Sequence, residues 1–199
     1  SEVALTRGRS HEEYQDTLVS IVEESQRLSS IVGSLLFLAR ARRTHVDLDR
    51  HQIDVATELK VIRNYFKKAA QEADLNLTTQ CPEGLSIDVD RTLFQRAISN
   101  LVANAIAHTP LGGLVSIDAH ARDAAAVIEV RDTGEGVPED EQMRVFDRFY
   151  RADKARNAAS GRMGLGLPIA KSIMDLHGGV ISLRSKVGHG TVVALSFPR

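Results

Sequence analysis

From Tyr14 to Ala39 the seam positions advance in steps of 4, 3, 4, 3, 4, 3 and 4: Tyr14, Leu18, Ile21, Ser25, Leu28, Val32, Leu35, Ala39. That period demands a long helix laying one stripe against a neighbour, with Ser25 as its polar position. Val22, Ile31, Leu36 and Leu38 widen the stripe, which suits a four-helix bundle better than an isolated coil. An amphipathic helix packed on its own domain would show the same stripe. Ser10 and Glu13 form a capping box at its start, and Ser1 to Arg9 reads as the end of a preceding helix. Arg40, Arg42 and Arg43 close it, where cations meet the negative end of the dipole. The longest apolar stretch, Ile31 to Ala39, contains Gly33 and Ser34 and falls short of the roughly 20 residues a bilayer requires.

Beyond the stalk the period changes repeatedly. His45 to Ile53 reads as a strand and connector. Asp54 caps a helix carrying Val55, Leu59, Ile62, Phe66 and Ala70. Leu75, Leu77 and Thr79 alternate as one short strand, and Leu85 to Val89 form another across the turn Cys81-Pro82-Glu83-Gly84. Asp90 caps a helix to about His108, stopped by Thr109-Pro110. Val115, Ile117 and Ala119, then Ala126, Ile128 and Val130, predict neighbouring antiparallel strands. A short helix is predicted near Glu139 to Arg144. Another helix is predicted from about Gly164 to His177, and a closing hairpin pairs Val180 to Leu183 with Thr191 to Phe197. The reading is a helical stalk over 1–45 and an α+β two-layer sandwich over 46–199, with helices segregated to one sheet face.

Lys and Arg number 25 against 26 Asp and Glu, which argues against a nucleic-acid partner. The one cysteine, Cys81, excludes an internal disulfide framework and a cysteine zinc cluster, and fits a reducing compartment.

Three local patterns carry chemistry. On the helix from Arg91, residues Asn100, Asn104 and His108 span about 80° of the surface, beside an apolar arc of Phe94, Ile98, Val102 and Ala105. A carboxamide oxygen is a neutral hard ligand for Mg²⁺ whose charge is met by phosphates. Asp132-Thr133-Gly134-Glu135-Gly136 places a carboxylate at a strand end, with glycines that let backbone approach a flat ligand. Ionised, that carboxylate accepts amine hydrogens such as those of adenine. Gly161-Arg162-Met163-Gly164-Leu165-Gly166 runs into a helix start, with Pro168 tolerated in the first turn. Its unpaired amides form an anion site. No GK[ST] follows and no strand immediately precedes it, so it is neither a Walker loop nor a Rossmann fingerprint. Taken singly, these strings also describe a solvated helix face, a plain turn and a flexible loop.

In their fixed order the motifs resemble the ATP-binding domain of bacterial sensor histidine kinases, within the GHKL ATPase superfamily (Bergerat fold). Asn100 to Pro110 resembles the N box, and Asp132 to Gly136 the G1 box. Val145-Phe146-Asp147-Arg148-Phe149-Tyr150-Arg151 resembles the F box, Gly161 to Gly166 the G2 box, and Gly188-His189-Gly190-Thr191 the final glycine motif. The resemblance implies a mixed sheet with helices on one face, preceded by the second helix of a dimerisation bundle. It implies that Asn104 ligates Mg²⁺ on the triphosphate of ATP, with Asn100 and His108 beside it. Asp132 would recognise adenine, with Gly134 and Gly136 giving room and Thr191 assisting. Met163, Gly164, Leu165, Gly166 and Leu167 would surround the phosphates. Phe146, Phe149 and Tyr150 would anchor a lid reaching Met163, mobile without nucleotide, and Arg148, Arg151 or Arg162 would meet the γ-phosphate.

The same resemblance implies partners: a response regulator receiver domain, and a second copy through the helical region. It implies the cytoplasmic part of an inner-membrane sensor, with no membrane contact by these residues. Two departures stand out. Many relatives carry Lys or Arg where Ala107 stands. The acceptor motif His-Glu-Leu/Ile-Arg-Thr/Ser-Pro is absent, and His11-Glu12-Glu13 does not match it, so the acceptor histidine is expected upstream of Ser1. The leading reading is the catalytic portion of a histidine kinase. A hydrolytic relative would typically carry Glu at position 100 to activate water. A nucleotide-responsive dimerisation module without transfer is the third reading, favoured by Ala107 and the missing acceptor.

Overall fold

The structure, a computed structural model, describes residues 11–41, 47–150 and 164–199. The stalk is α1, His11–Arg40. Among the described residues, no helix is long and apolar enough to cross a membrane.

The sandwich begins with β1, Arg50–Asp54, and α2, Val55–Glu72. Asp54 caps α2 by accepting from the Thr57 amide at 2.7 Å. Then come β2 (Asn76–Gln80), β3 (Ser86–Asp90) and α3 (Arg91–His108). Asp90 caps α3 in the same way, through Leu93 at 3.0 Å. β4 (Leu114–Arg122) and β5 (Ala125–Asp132) pair antiparallel. α4 (Gly166–His177) stops at Gly178, whose φ of 68° is the left-handed C-cap glycine favours. β6 (Val180–Lys186) and β7 (Gly190–Pro198) form the closing hairpin.

Five strands form one mixed sheet in the order β2-β4-β5-β7-β6, with β2 parallel to β4 and the other pairs antiparallel. β1 and β3 form a separate antiparallel ribbon, which alternation alone did not reveal. Strand period places Val115, Ile117, Ala119, Ile128, Val130, Val193 and Leu195 on the face toward α2, α3 and α4, where all are buried. Phe94 of α3 meets Phe197 of β7 at 5.4 Å between ring centroids, and both are fully buried. Removing either ring would cost about 3–5 kcal/mol.

The short helix expected near Glu139 to Arg144 is instead two 3-10 turns, Glu139–Glu141 and Arg144–Phe146. Gln142 accounts for the break. Its amide donates to Val137 O at 3.1 Å and Ser185 O at 2.8 Å, tying the segment to the edge of β6. The stalk is not separate from the sandwich. Leu38, 1% exposed, belongs to the same buried core, and Phe37 lies under the Arg96 guanidinium at 4.6 Å. The outer seam positions Tyr14, Leu18, Ile21, Leu28 and Val32 stay exposed.

Candidate nucleotide site

Strand register builds one end of the site. Leu77, Val115, Asp132, Thr191 and Ser185 are successive partners across β2, β4, β5, β7 and β6. Residues directly opposite share a face, so the partly buried Asp132, Thr191 and Ser185 continue as a polar run the row that Leu77 and Val115 begin in the core. Its Oδ1 accepts from the Gly134 amide at 2.9 Å and the Thr191 amide at 3.1 Å. Both backbone donors use one oxygen, and Oδ2 has no donor among the described residues. Burial pushes the Asp132 pKa up, opposed by those two hydrogen bonds and by His108.

The glycines here are steric necessities. A Cβ on Gly134 would be driven into the His108 carbonyl oxygen, and one on Gly190 into the Asp132 carbonyl oxygen. Gly136 sits equally tightly against the Lys186 carbonyl. The loop can therefore close on the end of α3 only without side chains at these points. An open cavity of about 430 Å³ lies between them, lined by Ala107, His108, Thr109, Pro110, Thr133, Gly134, Glu135 and Gly188. His108 Nδ1 stands 3.6 Å from Glu135 Oε1. This places His108 at the Asp132 end of the site, beside the residues expected to take the base.

The other end is built by α3 and α4, which run antiparallel. Gly166 opens α4 against Asn100, so that a Cβ there would stand 3.7 Å from Asn100 Oδ1. Asn100 Nδ2 donates to Arg96 O at 2.9 Å, which turns the amide hydrogens back toward α3. Asn104, one turn further along and half-buried, has no hydrogen-bond partner among the described residues. Leu165 caps α4 without a side-chain hydrogen bond, and Ile169 N bonds back to Leu165 O at 3.0 Å. The amides of Gly166 and Leu167 are thus first-turn donors at the positive end of the helix.

No group of three or more His, Cys, Asp or Glu among the described residues could hold a bare metal ion. A neutral oxygen on Asn104, one turn along α3 from the residue that meets the start of α4, fits instead an Mg²⁺ whose charge is met by phosphates.

Phe146 lies below Lys171 of α4 at 5.8 Å, and Tyr150 below Arg144 at 4.4 Å. Phe149, at φ 63°, bonds through its amide to Gly164 O at 3.1 Å. This joins the two ends of the expected lid. Arg148 donates to Leu38 O of α1 at 3.1 Å, so here its guanidinium is engaged by the stalk. Arg151, Arg162 and Met163, and most of the expected lid, lie outside the described residues. Sequence reasoning missed Arg96 and Ser185. The Ser185–Thr191 pairing follows from the hairpin register alone.

Residues 89–199 match the family described as histidine kinase-, DNA gyrase B-, and HSP90-like ATPase. Sensor protein IrlS of Burkholderia pseudomallei is 36% identical over 198 residues, covering 100% of this chain and 42% of that protein. The chain thus spans about two fifths of the length of the curated relatives it matches. Full-length ShkA in complex with AMPPNP is similar in fold, with a TM-score of 0.83 and 24% identity over 97% of this chain and 40% of that one. Histidine kinase ThkA in complex with response regulator protein TrrA gives a TM-score of 0.76 and 22% identity, over 97% of this chain and 53% of that one.

Proposed function

The chain belongs to the histidine kinase-, DNA gyrase B-, and HSP90-like ATPase family, and from that membership we infer that it is the ATP-binding catalytic part of a sensor histidine kinase. The observation that carries this reading is the neutral face of α3. Asn100, not a carboxylate, stands against the start of α4. An amide cannot take a proton from attacking water, so the residues favour positioning and charge neutralisation, which phosphoryl transfer to a separate acceptor requires.

In this reading Asp132 Oδ2 accepts from the adenine amine, and the first-turn amides of α4 hold phosphate oxygens. Asn104 would supply one oxygen to Mg²⁺, and the ion would offset negative charge on the phosphates. Arg148, Arg151 or Arg162 is the side chain proposed to reach the γ-phosphate. The bond from the β–γ bridging oxygen to the γ-phosphorus breaks, ADP leaves, and an imidazole nitrogen supplied outside these residues takes the phosphoryl group. A receiver-domain aspartate of a response regulator takes it next. The exposed seam of α1 supports pairing with a second copy.

The test uses γ-labelled ATP and Mg²⁺ with the chain alone and with a separately supplied helix pair bearing an acceptor histidine. Acid-labile, alkali-stable label is expected on the added helices and not on the chain. Steady phosphate release without acceptor would favour a hydrolase. Tight ATP binding with neither transfer nor release would favour a non-catalytic module.

A further inference from the structure

The hydroxyl hydrogens beside Asp132 can be assigned from their partners alone. Ser185 Oγ lies 2.8 Å from Val137 N, 2.9 Å from Gly190 O and 2.8 Å from Thr191 Oγ1. The Val137 amide can only donate, and the Gly190 carbonyl can only accept. Ser185 therefore gives its single hydrogen to Gly190 and has two lone pairs to offer. One receives Val137 N–H. The other must receive the Thr191 hydroxyl hydrogen, because Ser185 has no second hydrogen to give. Thr191 is left with lone pairs only. Its register neighbour Asp132 has Oδ1 occupied by two amides and Oδ2 open, and an ionised carboxylate is also acceptor-only.

We propose that Ser185 is a specificity-determining positioning residue: by taking the Thr191 hydrogen it makes the Asp132–Thr191 pair acceptor-only, so that a 6-amino group is accepted there and a 6-oxo group rejected. The inference rests on the adenine reading of Asp132 and extends it to a residue in a different strand. Freed from Ser185, the Thr191 hydroxyl could rotate and donate to a 6-oxo oxygen. A fixed acceptor cannot, and an oxo group facing it leaves two buried acceptors opposed. Nothing in this device needs Ser185 to touch the nucleotide.

The experiment compares Mg·ATP with Mg·ITP, which replaces the 6-amine by an oxo group, using calorimetry on the chain as it stands. The unaltered chain is expected to prefer ATP. Ser185→Ala is expected to lower the ATP:ITP affinity ratio by roughly tenfold, the scale of one redirected hydrogen bond. Ser185→Thr keeps the hydroxyl and should keep the ratio. Thr191→Val removes the hydroxyl being oriented, so adding Ser185→Ala to it should change the ratio no further. A general loosening of the Val137 loop would weaken ATP and ITP alike and would persist in the Thr191→Val background; that result overturns the proposal. A preference for ATP that is unchanged in Ser185→Ala also overturns it, while leaving the adenine reading standing. No preference in the unaltered chain overturns both. Should Ser185→Ala fail to fold, a ratio unchanged by Thr191→Val would overturn the proposal by itself.

Discussion

The two oxygens of Asp132 do different work. Oδ1 closes the turn through Gly134 and Thr191, and Oδ2 is the oxygen proposed to meet the base. Asp132→Asn can keep Oδ1 in place while putting an amide where Oδ2 was. ATP binding should then weaken by about 1.5–3 kcal/mol, with the preference over GTP lost, as competition titrations would show. Folding should not suffer. Because burial raises the Asp132 pKa, the native state binds its proton more readily than the unfolded chain. This group therefore costs stability as pH rises from the ordinary carboxylate value through the raised one. Asp132→Asn removes that cost, and denaturation at pH 7 should find it at least as stable as the parent. Asn104→Ala should weaken Mg·ATP far more than adenosine, since it removes the oxygen proposed to ligate the metal; calorimetry with both ligands checks this. Asp132, Gly134 and Gly136 were legible because turn chemistry is local. Ser185 was not, since its role depends on which residue lies opposite in the hairpin. Neither was the engagement of Arg148 by Leu38, which spans 110 positions.

At the scale of elements, α3 and α4 make the end proposed to hold phosphate where Asn100 meets Gly166, and His177 ties their opposite ends. The ring is 1% exposed and edge-on to Phe197 at 5.7 Å. Its Nε2 accepts from the Asp90 amide at 3.1 Å, and its Nδ1 lies 2.8 Å from Ile173 O. One acceptor and one donor nitrogen specify a neutral imidazole. Burial lowers its pKa; Arg50 acts in the same direction, against the Ile173 hydrogen bond, Asp90 and Asp88. The unfolded chain therefore binds more protons below the ordinary histidine value. His177 contributes fully above that value and less as pH falls through it. Denaturant unfolding between pH 7.5 and 5 should show stability falling on acidification, with a shallower slope in His177→Gln. The helices themselves were legible from caps and periodicity, Asp54 and Asp90 above all. The segment after Pro138 was not, because the Gln142 amide bonds to Val137 O and, 43 positions away, to Ser185 O, against its local helix signal.

At the scale of the molecule, the heptad stripe was visible in the sequence, but its attachment was not. The domain limit placed at residues 45 and 46 falls where the structure describes nothing, yet Leu38 already belongs to the sandwich core. Leu38→Ala should cost roughly 2–5 kcal/mol of docking. Hydrogen exchange should then quicken in the last turns of α1 and stay slow in β5 and β7; equal quickening throughout would mean the stalk holds the whole fold together. Arg96 and Arg148 grip that same final turn from α3 and from the loop before α4. From Leu38 back to His11 the rest of the 30-residue helix projects as a rod about 40 Å long. A rod fixed at one end is a lever. A tilt of about 10° at Leu38 would carry His11 through roughly 7 Å at that length, while the fulcrum moves by a fraction of an ångström. A displacement too small to notice at the arginines is thus magnified at the far tip, and a large swing of the tip is geared down to a fine adjustment beside Arg148.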